Sequence, residues 1–248
     1  MKVALLIPST SRGRDDWKSA EDTYLWRLTM ETFLHTRDIE HEYTFYIGID
    51  DDDRIYATDE SKAFFAEKLA GTGTDIQFIS MAGITKGHLT VMWNRLFQKA
   101  YDDGCDYFFQ CGDDISFRTK GWVDACVDAL TKNNNVGLAG PINNNSRILT
   151  QAMVSRKHME IFGWFFPEEI INWCCDDWYN WIYQPTHFFP LRSHYCSNDG
   201  GAPRYVVNND ADFLKSREEA NRNIMRLRQS TAILAMRHRE LIQKFVET

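Results

Sequence analysis

Four short apolar runs, each closed by polar residues and separated by stretches of helical spacing, constrain this chain more than any other feature. Residues 3–7, 43–49, 76–80 and 107–110 read as strands, and residues 22–36, 60–69 and 89–100 between them read as helices. Parallel neighbours need a crossover of about a dozen residues or more, which those helices supply. The first 115 residues therefore predict a mostly parallel sheet with helices on both faces. The run at 3–7 is apolar throughout rather than alternating, as a strand covered on both faces is. Ligands of such sheets bind outside the carboxyl ends of the strands. Four polar clusters fall there: Ser9-Thr10-Arg12, Asp50 to Arg54, Lys86-Gly87-His88 and Asp113-Asp114.

After Gly121 the pattern changes. The spacing predicts a helix over 122–130, strands over 136–139 and 149–155, and a polar loop at 140–145. An aromatic stretch at 162–177 leads into a helix over 178–183. Residues 184–212, with Pro185, Pro190, Pro203 and Gly200-Gly201, read as irregular. Residues 212–247 read as mostly helix, with Ile224, Leu227, Leu234 and Leu241 as the apolar stripe. Residues 1–210 are thus expected to form one domain, with 211–248 a helical extension packed on it.

Composition narrows the function. A chain of 248 residues with 44% hydrophobic content can bury a sizeable core. A net charge of −7 argues against a general nucleic-acid binder, which needs an excess of Lys and Arg. Eight Trp, ten Tyr and sixteen Phe suit stacking on bases and sugars, although aromatics are more often core. No apolar run approaches the ~18 residues of a membrane span, so no transmembrane segment is expected. The N-terminus lacks the long apolar region and cleavage site of a signal peptide. None of the six cysteines forms a Cys-x-x-Cys pair, which disfavours zinc and fits a reduced, cytoplasmic chain.

Asp113-Asp114 stands out because a buried strand ends there in two mutually repelling carboxylates. For an isolated pair a turn or helix cap is the commoner explanation. At a strand tip among other acids, Asp113 and Asp114 are candidate ligands for a hard divalent cation. Asp50 is the member of the Asp50 to Asp53 run placed to accept from a base or ribose, although charge runs are commonly solvated. Asp176-Asp177 precedes a helix, where capping is the bland explanation and general-base duty for Asp177 the functional one. His194 is a candidate third metal or diphosphate ligand, with Arg192 beside it. Of the basic residues Arg12, Arg14, Lys86 and Arg204, Arg12 and Lys86 are the choices by position for phosphate contact, with Asn94 orienting the Lys86 loop.

These features resemble the nucleotide-diphospho-sugar transferases of the GT-A fold. In that family the first strand ends in a nucleotide-binding loop, here Ile7-Pro8-Ser9-Thr10. A second strand ends in an aspartate that meets the base, here Asp50. A later strand ends in an acidic metal motif, here Cys111-Gly112-Asp113-Asp114, and an acidic pair before a helix supplies the base in inverting members, here Asp176-Asp177. The resemblance covers roughly residues 1 to 200 and implies an α/β, Rossmann-like, mostly parallel sheet flanked by helices. It also implies a metal-dependent glycosyltransferase using Mn²⁺ or Mg²⁺, a nucleotide-sugar donor (a UDP-sugar) and a glycan or other hydroxyl acceptor. Pro8, Ser9, Thr10, Arg12, Asp50, Lys86 and Asp113 then bind the donor, and Asp176 with Asp177 serves the acceptor.

Two departures bear on this. Cys111 or Gly112 stands where the first acid of the metal motif belongs, which leaves open which of Asp113 and Asp114 binds metal directly. No Gln-x-x-Arg-Trp pattern of processive synthases is present, which points to single-sugar transfer. A retaining enzyme needs no base at Asp177, so the stereochemistry stays open, with inversion the expectation. A sugar-phosphate nucleotidyltransferase would need a richer glycine loop than Pro8 to Arg14, and a Rossmann dehydrogenase would need a Gly-x-Gly-x-x-Gly after the first strand. A non-catalytic nucleotide-sugar or carbohydrate binder on the same scaffold is the alternative from a different class.

Overall fold

The sheet is assembled around β1 (Lys2–Ser9) in the computed structural model of the protein, which describes residues 1–247. β1 pairs in parallel with β2 (Glu42–Ile49), and β2 in parallel with β3 (Thr74–Ser80). On its other side β1 pairs in parallel with β4 (Tyr107–Gln110). The remaining strands are β5 (Ile115–Phe117), β6 (Leu138–Ile142), β7 (Ala152–Ser155) and β8 (Phe188–Asn198). They complete the order β3-β2-β1-β4-β7-β6-β8-β5. β7 runs antiparallel to both β4 and β6, β8 pairs in parallel with β6, and β5 pairs antiparallel with the end of β8.

β1 shows why the sheet is covered twice. Successive side chains point to opposite faces of a strand. Val3, Leu5 and Ile7 enter one apolar layer with Phe33, Phe45 and Trp122, while Ala4 and Leu6 enter another with Leu96, Phe97 and Trp178. The first layer is closed by α1 (Glu31–Thr36), which continues a π-helical turn at Leu25–Met30, by α2 (Asp59–Leu69) and by α4 (Trp122–Thr131). The second is closed by α3 (Leu89–Asp102), α5 (Arg156–Phe162) and α6 (Cys175–Tyr183). On α3 the residues Met92, Trp93, Leu96, Phe97 and Ala100 are buried, the helical spacing that the sequence carried.

The second half departs from the expectations in places. β8 occupies much of the stretch expected to be irregular, and β5 and α5 add elements that were not expected. β8 carries Pro190 opposite Gly140 and is mostly half-exposed, so its pairing comes from β6 and β5 rather than from a legible apolar run. α5 is short and is set by its ends. The Ser155 side chain accepts the Lys157 N–H at 3.1 Å, and Gly163 closes the helix at φ 75°. α7 (Arg217–Glu247) starts after Ser216, whose hydroxyl accepts the Glu219 N–H at 3.2 Å. Its buried positions are Thr231, Ala235 and Ile242, whereas Leu241 of the expected stripe is 38% exposed. Thr248, the last residue of the expected extension, lies outside the described residues.

Among the described residues no helix is long and apolar enough to cross a membrane. All six cysteines are buried and free of disulfides.

Candidate active site

β1 is the point at which the strand order reverses: its chain continues to β2 on one side, and β4 joins it on the other. A crevice opens outside the carboxyl ends of strands at such a switch. Here it is a cleft of about 1290 Å³, and Pro8, Ser9, Thr10, Arg12, Asp50, Lys86, Asp113, Asp114, Asp176 and Asp177 all line it. The four strand-end clusters and the acidic pair before α6 therefore share one cavity. His194 does not join them. It sits on β8 beside Gly121, outside the lining residues, and Arg192 is exposed on the same strand. His194 is therefore not placed with the carboxylates that could hold a cation.

The loop after β1 is held from beneath by Asp53, which is 7% exposed. Its Oδ2 accepts the Ser11 N–H at 2.7 Å and its Oδ1 accepts the Ser11 hydroxyl at 2.8 Å, the Ile55 N–H at 3.0 Å and the Tyr56 N–H at 2.9 Å. Burial alone would raise this carboxyl, but the N–H donors of Ser11, Tyr56 and Ile55 outweigh it and hold Asp53 below the ordinary carboxylate value. Asp50 is flanked by Arg12 at 3.8 Å and Lys86 at 3.5 Å, and Lys86 also donates to Asp52 at 2.9 Å. The structure thus gathers both predicted phosphate contacts at Asp50. Asn94 lies elsewhere: it accepts from the backbone of Phe165 and Phe166 and donates to the Phe166 carbonyl, so it shapes that segment instead of the Lys86 loop.

At the tip of β4, Asp113 is 1% exposed. Both its oxygens accept from Arg204: Nη1 donates to Oδ2 at 2.9 Å and Nη2 to Oδ1, the bidentate fork that suits a guanidinium to a carboxylate. Nη1 also donates to the Thr10 carbonyl at 2.8 Å, and the guanidinium lies 5.7 Å from the Trp17 ring centre and 5.9 Å from that of Tyr24. Asp114 has no such partner. Burial, and then the charge of Asp113, push its carboxyl up to about 6. Its side chain is enclosed by two glycines. A Cβ at Gly200 would stand 2.2 Å from Oδ2, and one at Gly112 would stand 2.5 Å from Oδ1.

These residues fit a hard divalent cation. The donors are oxygens, and the raised Asp114 carboxyl is one that a nearby positive charge would relieve. Among the described residues no three His, Cys, Asp or Glu side chains form a ligand group. A cation here would draw its other ligands from water and the donor, as Mg²⁺ commonly does.

The second acidic pair opens α6 after Cys174, which adopts a left-handed φ of 69°. Asp177 is 4% exposed, and its Oδ1 meets Arg147 at 2.5 Å and Arg228 of α7 at 3.3 Å. Asp176 lies deep in the cleft with part of its surface open. Burial, and then the charge of Asp177, push it up to about 6. Of the aromatic residues in and just after the 162–177 stretch, Trp173 lines the cleft, whereas Phe165, Phe166 and Trp178 are fully buried core.

Sequence reasoning missed Asp53 as a brace, Arg147 and Arg228 as partners of Asp177, and Asn172. Asn172 donates to the Gly87 carbonyl at 2.9 Å and the Val206 carbonyl at 3.1 Å, tying the loop after β3 to the segment after β8. Each is a single polar residue whose partner is remote in the chain, and no local pattern marks it.

This topology, with a crevice at the β1–β4 switch, is that of the GT-A fold. Among solved structures, the chain is similar to S. aureus TarS 1-349 in complex with UDP-GlcNAc, at a TM-score of 0.54 and 13% identity over 83% of this chain and 62% of that one. TarS 1-349 in complex with UDP gives 0.52 and 13% over 79% and 60%, and TarS gives 0.51 and 12% over 79% and 36%. At this identity the likeness is one of fold, and the chain spans 36% to 62% of the length of those proteins. No family model and no curated protein matches the chain.

Proposed function

We propose that this protein is a metal-dependent glycosyltransferase that moves a single sugar from a UDP-sugar to an acceptor hydroxyl with inversion. The observation that carries the reading is the presence of two carboxylate pairs in one cleft, Asp113-Asp114 below β4 and Asp176-Asp177 at the start of α6. The first pair suits a charged leaving group and the second an acceptor proton. Solved complexes of TarS 1-349 with UDP and UDP-GlcNAc on a similar fold support the choice of donor.

Asp50, with Arg12 and Lys86 beside it, offers an acceptor for the base, and the Pro8-Ser9-Thr10 loop offers backbone and hydroxyl groups to the nucleoside. Asp114 and Asp113 would hold Mn²⁺ or Mg²⁺, whose charge neutralises the departing diphosphate. The Asp176-Asp177 pair takes the proton of the attacking hydroxyl. Asp177 is anchored by Arg147 and Arg228, and Asp176 carries a carboxyl raised toward the working range of a base.

A thermal-shift panel of nucleotide-sugars with and without Mn²⁺ tests the donor. At about a hundredfold over Kd, binding adds about 2.7 kcal/mol. For a chain of this size that raises Tm by about 5–10 °C. No shift with any nucleotide-sugar in either condition would remove the reading. Asp177→Asn is expected to keep donor binding and lose transfer. A wild-type protein that binds donor without transfer or slow donor hydrolysis would instead be a binding protein.

A further inference from the structure

The segment between β8 and α7 lies across the donor end of the cleft and is tied down on both sides. Arg14 donates to the Gly200 carbonyl at 3.1 Å, Arg204 donates to the Thr10 carbonyl at 2.8 Å, and Asn172 both donates to the Val206 carbonyl and accepts the Asn208 N–H at 2.8 Å. The Arg204 side chain is 12% exposed, against 54% for Arg12 and 43% for Lys86, which are engaged with Asp50. Arg204 is therefore far more desolvated than either, and it occupies both oxygens of a carboxylate that the proposed reaction assigns to the metal.

Removing one partner of a buried pair is costly because the other charge is left alone. Exchanging both partners is not, since each charge gains a new counter-charge. A donor diphosphate offers Arg204 oxygens as suited to its fork as those of Asp113, and a divalent cation offers Asp113 a stronger positive charge.

We propose that Arg204 is the residue that receives the donor's diphosphate, and that it does so by leaving Asp113, which is thereby released to the divalent cation. The inference rests on the transferase reading. Arg204 masks Asp113 until nucleotide and cation arrive, and the two bind with positive coupling.

The test is calorimetric titration of the full chain with UDP alone, Mn²⁺ alone and each in the presence of the other, in wild type and Arg204→Gln. Unmasking Asp113 should tighten Mn²⁺ alone by about fivefold or more, the lower end of ordinary coupling. Loss of a charged hydrogen-bond partner should weaken UDP by about tenfold or more. These changes have opposite signs. A residue that merely holds the segment in place would weaken both ligands, and that result, or unchanged Mn²⁺ binding, overturns the proposal. If Arg204→Gln does not fold, Arg204→Lys keeps the charge but cannot bind both Asp113 oxygens in the same fork, and smaller changes of the same opposite signs are expected. A wild-type protein that binds no UDP in any condition would sink the transferase reading itself. UDP binding with parallel losses in the variant would sink only the role of Arg204.

Discussion

Two aspartates in this cleft, Asp114 and Asp176, are held in environments that make them weaker acids than an exposed aspartate. Asp176 is pushed up to about 6 by burial and by Asp177, while an ordinary aspartate sits at 3.8. If the Asp176-Asp177 pair takes the acceptor proton, transfer should fall as pH drops through about 6, close to tenfold per unit below it. A pH–rate profile that stays flat down to pH values near 4 would exclude Asp176 from that pair's titration. Asp53 acts on structure. Asp53→Asn puts an amide N–H₂ where carboxylate oxygens now accept from Ser11, Ile55 and Tyr56, leaving donors facing donors. A cost of about 2–4 kcal/mol is expected, together with weaker nucleotide binding through the loosened loop, both measurable by denaturant unfolding and UDP titration. The acidic pairs were legible because adjacent carboxylates at strand and helix ends conflict with local propensity. Asp53 was visible only as one of four acids in a row, and nothing local separated the brace from Asp50.

The elements divide in the same way. The four parallel strands and α2 to α4 were readable because each carries its own apolar run or helical spacing. β8 was not, because a half-exposed strand with a proline draws its order from neighbours 50 to 83 residues away, β6 through Ala139–Phe189 at one end and β5 through Ile115–Asn198 at the other. α7 was found from its spacing, but its buried line runs through Thr231, Ala235 and Ile242, one position beyond the expected Leu241. The helix packs on α5 and α6, accepts the Trp178 indole N–H at His238 Nδ1 across 3.1 Å, and sends Arg228 to Asp177. It thus contributes to both the core and the Asp176-Asp177 side of the cleft, and two variants separate these roles. Ile242→Ala should cost about 2–4 kcal/mol with little change in UDP affinity. Arg228→Ala should change transfer more than stability, since its pair is partly exposed and the Arg147 contact with Asp177 remains. Equal effects of the two variants on transfer after allowing for stability would argue against any role of α7 in the site.

At the scale of the whole molecule, the proposed function asks a protein of net charge −7 to take up an anionic donor in a cleft lined by aspartates. Charge balance there links ligand uptake to protons. Asp114 is pushed to about 6 by burial and by Asp113, so the empty protein keeps a proton on it that an unfolded chain, near 3.8, releases. The stability from that proton is full below about 4 and is lost as pH rises through about 6, with Asp176 adding in the same direction. His158 opposes them. Burial lowers it to about 4 from 6.5, so it costs stability as pH falls through that window. The pH dependence of the protein without ligand therefore mixes opposite signs, with His187 and His238, also lowered by burial, on the side of His158. The difference between loaded and empty protein does not cancel, because His158 is buried away from the cleft between Tyr183 and Phe165 and contributes equally to both. A cation at Asp114 must displace its proton, so binding competes with protonation below about 6. The Tm increment from Mn²⁺ plus a nucleotide-sugar, a diester that keeps its charge across this range, is expected to be small at pH 5, larger at pH 6 and level by pH 7. An increment independent of pH would mean that the cation does not meet Asp114, whereas one that vanishes in Asp114→Asn at every pH would place it there.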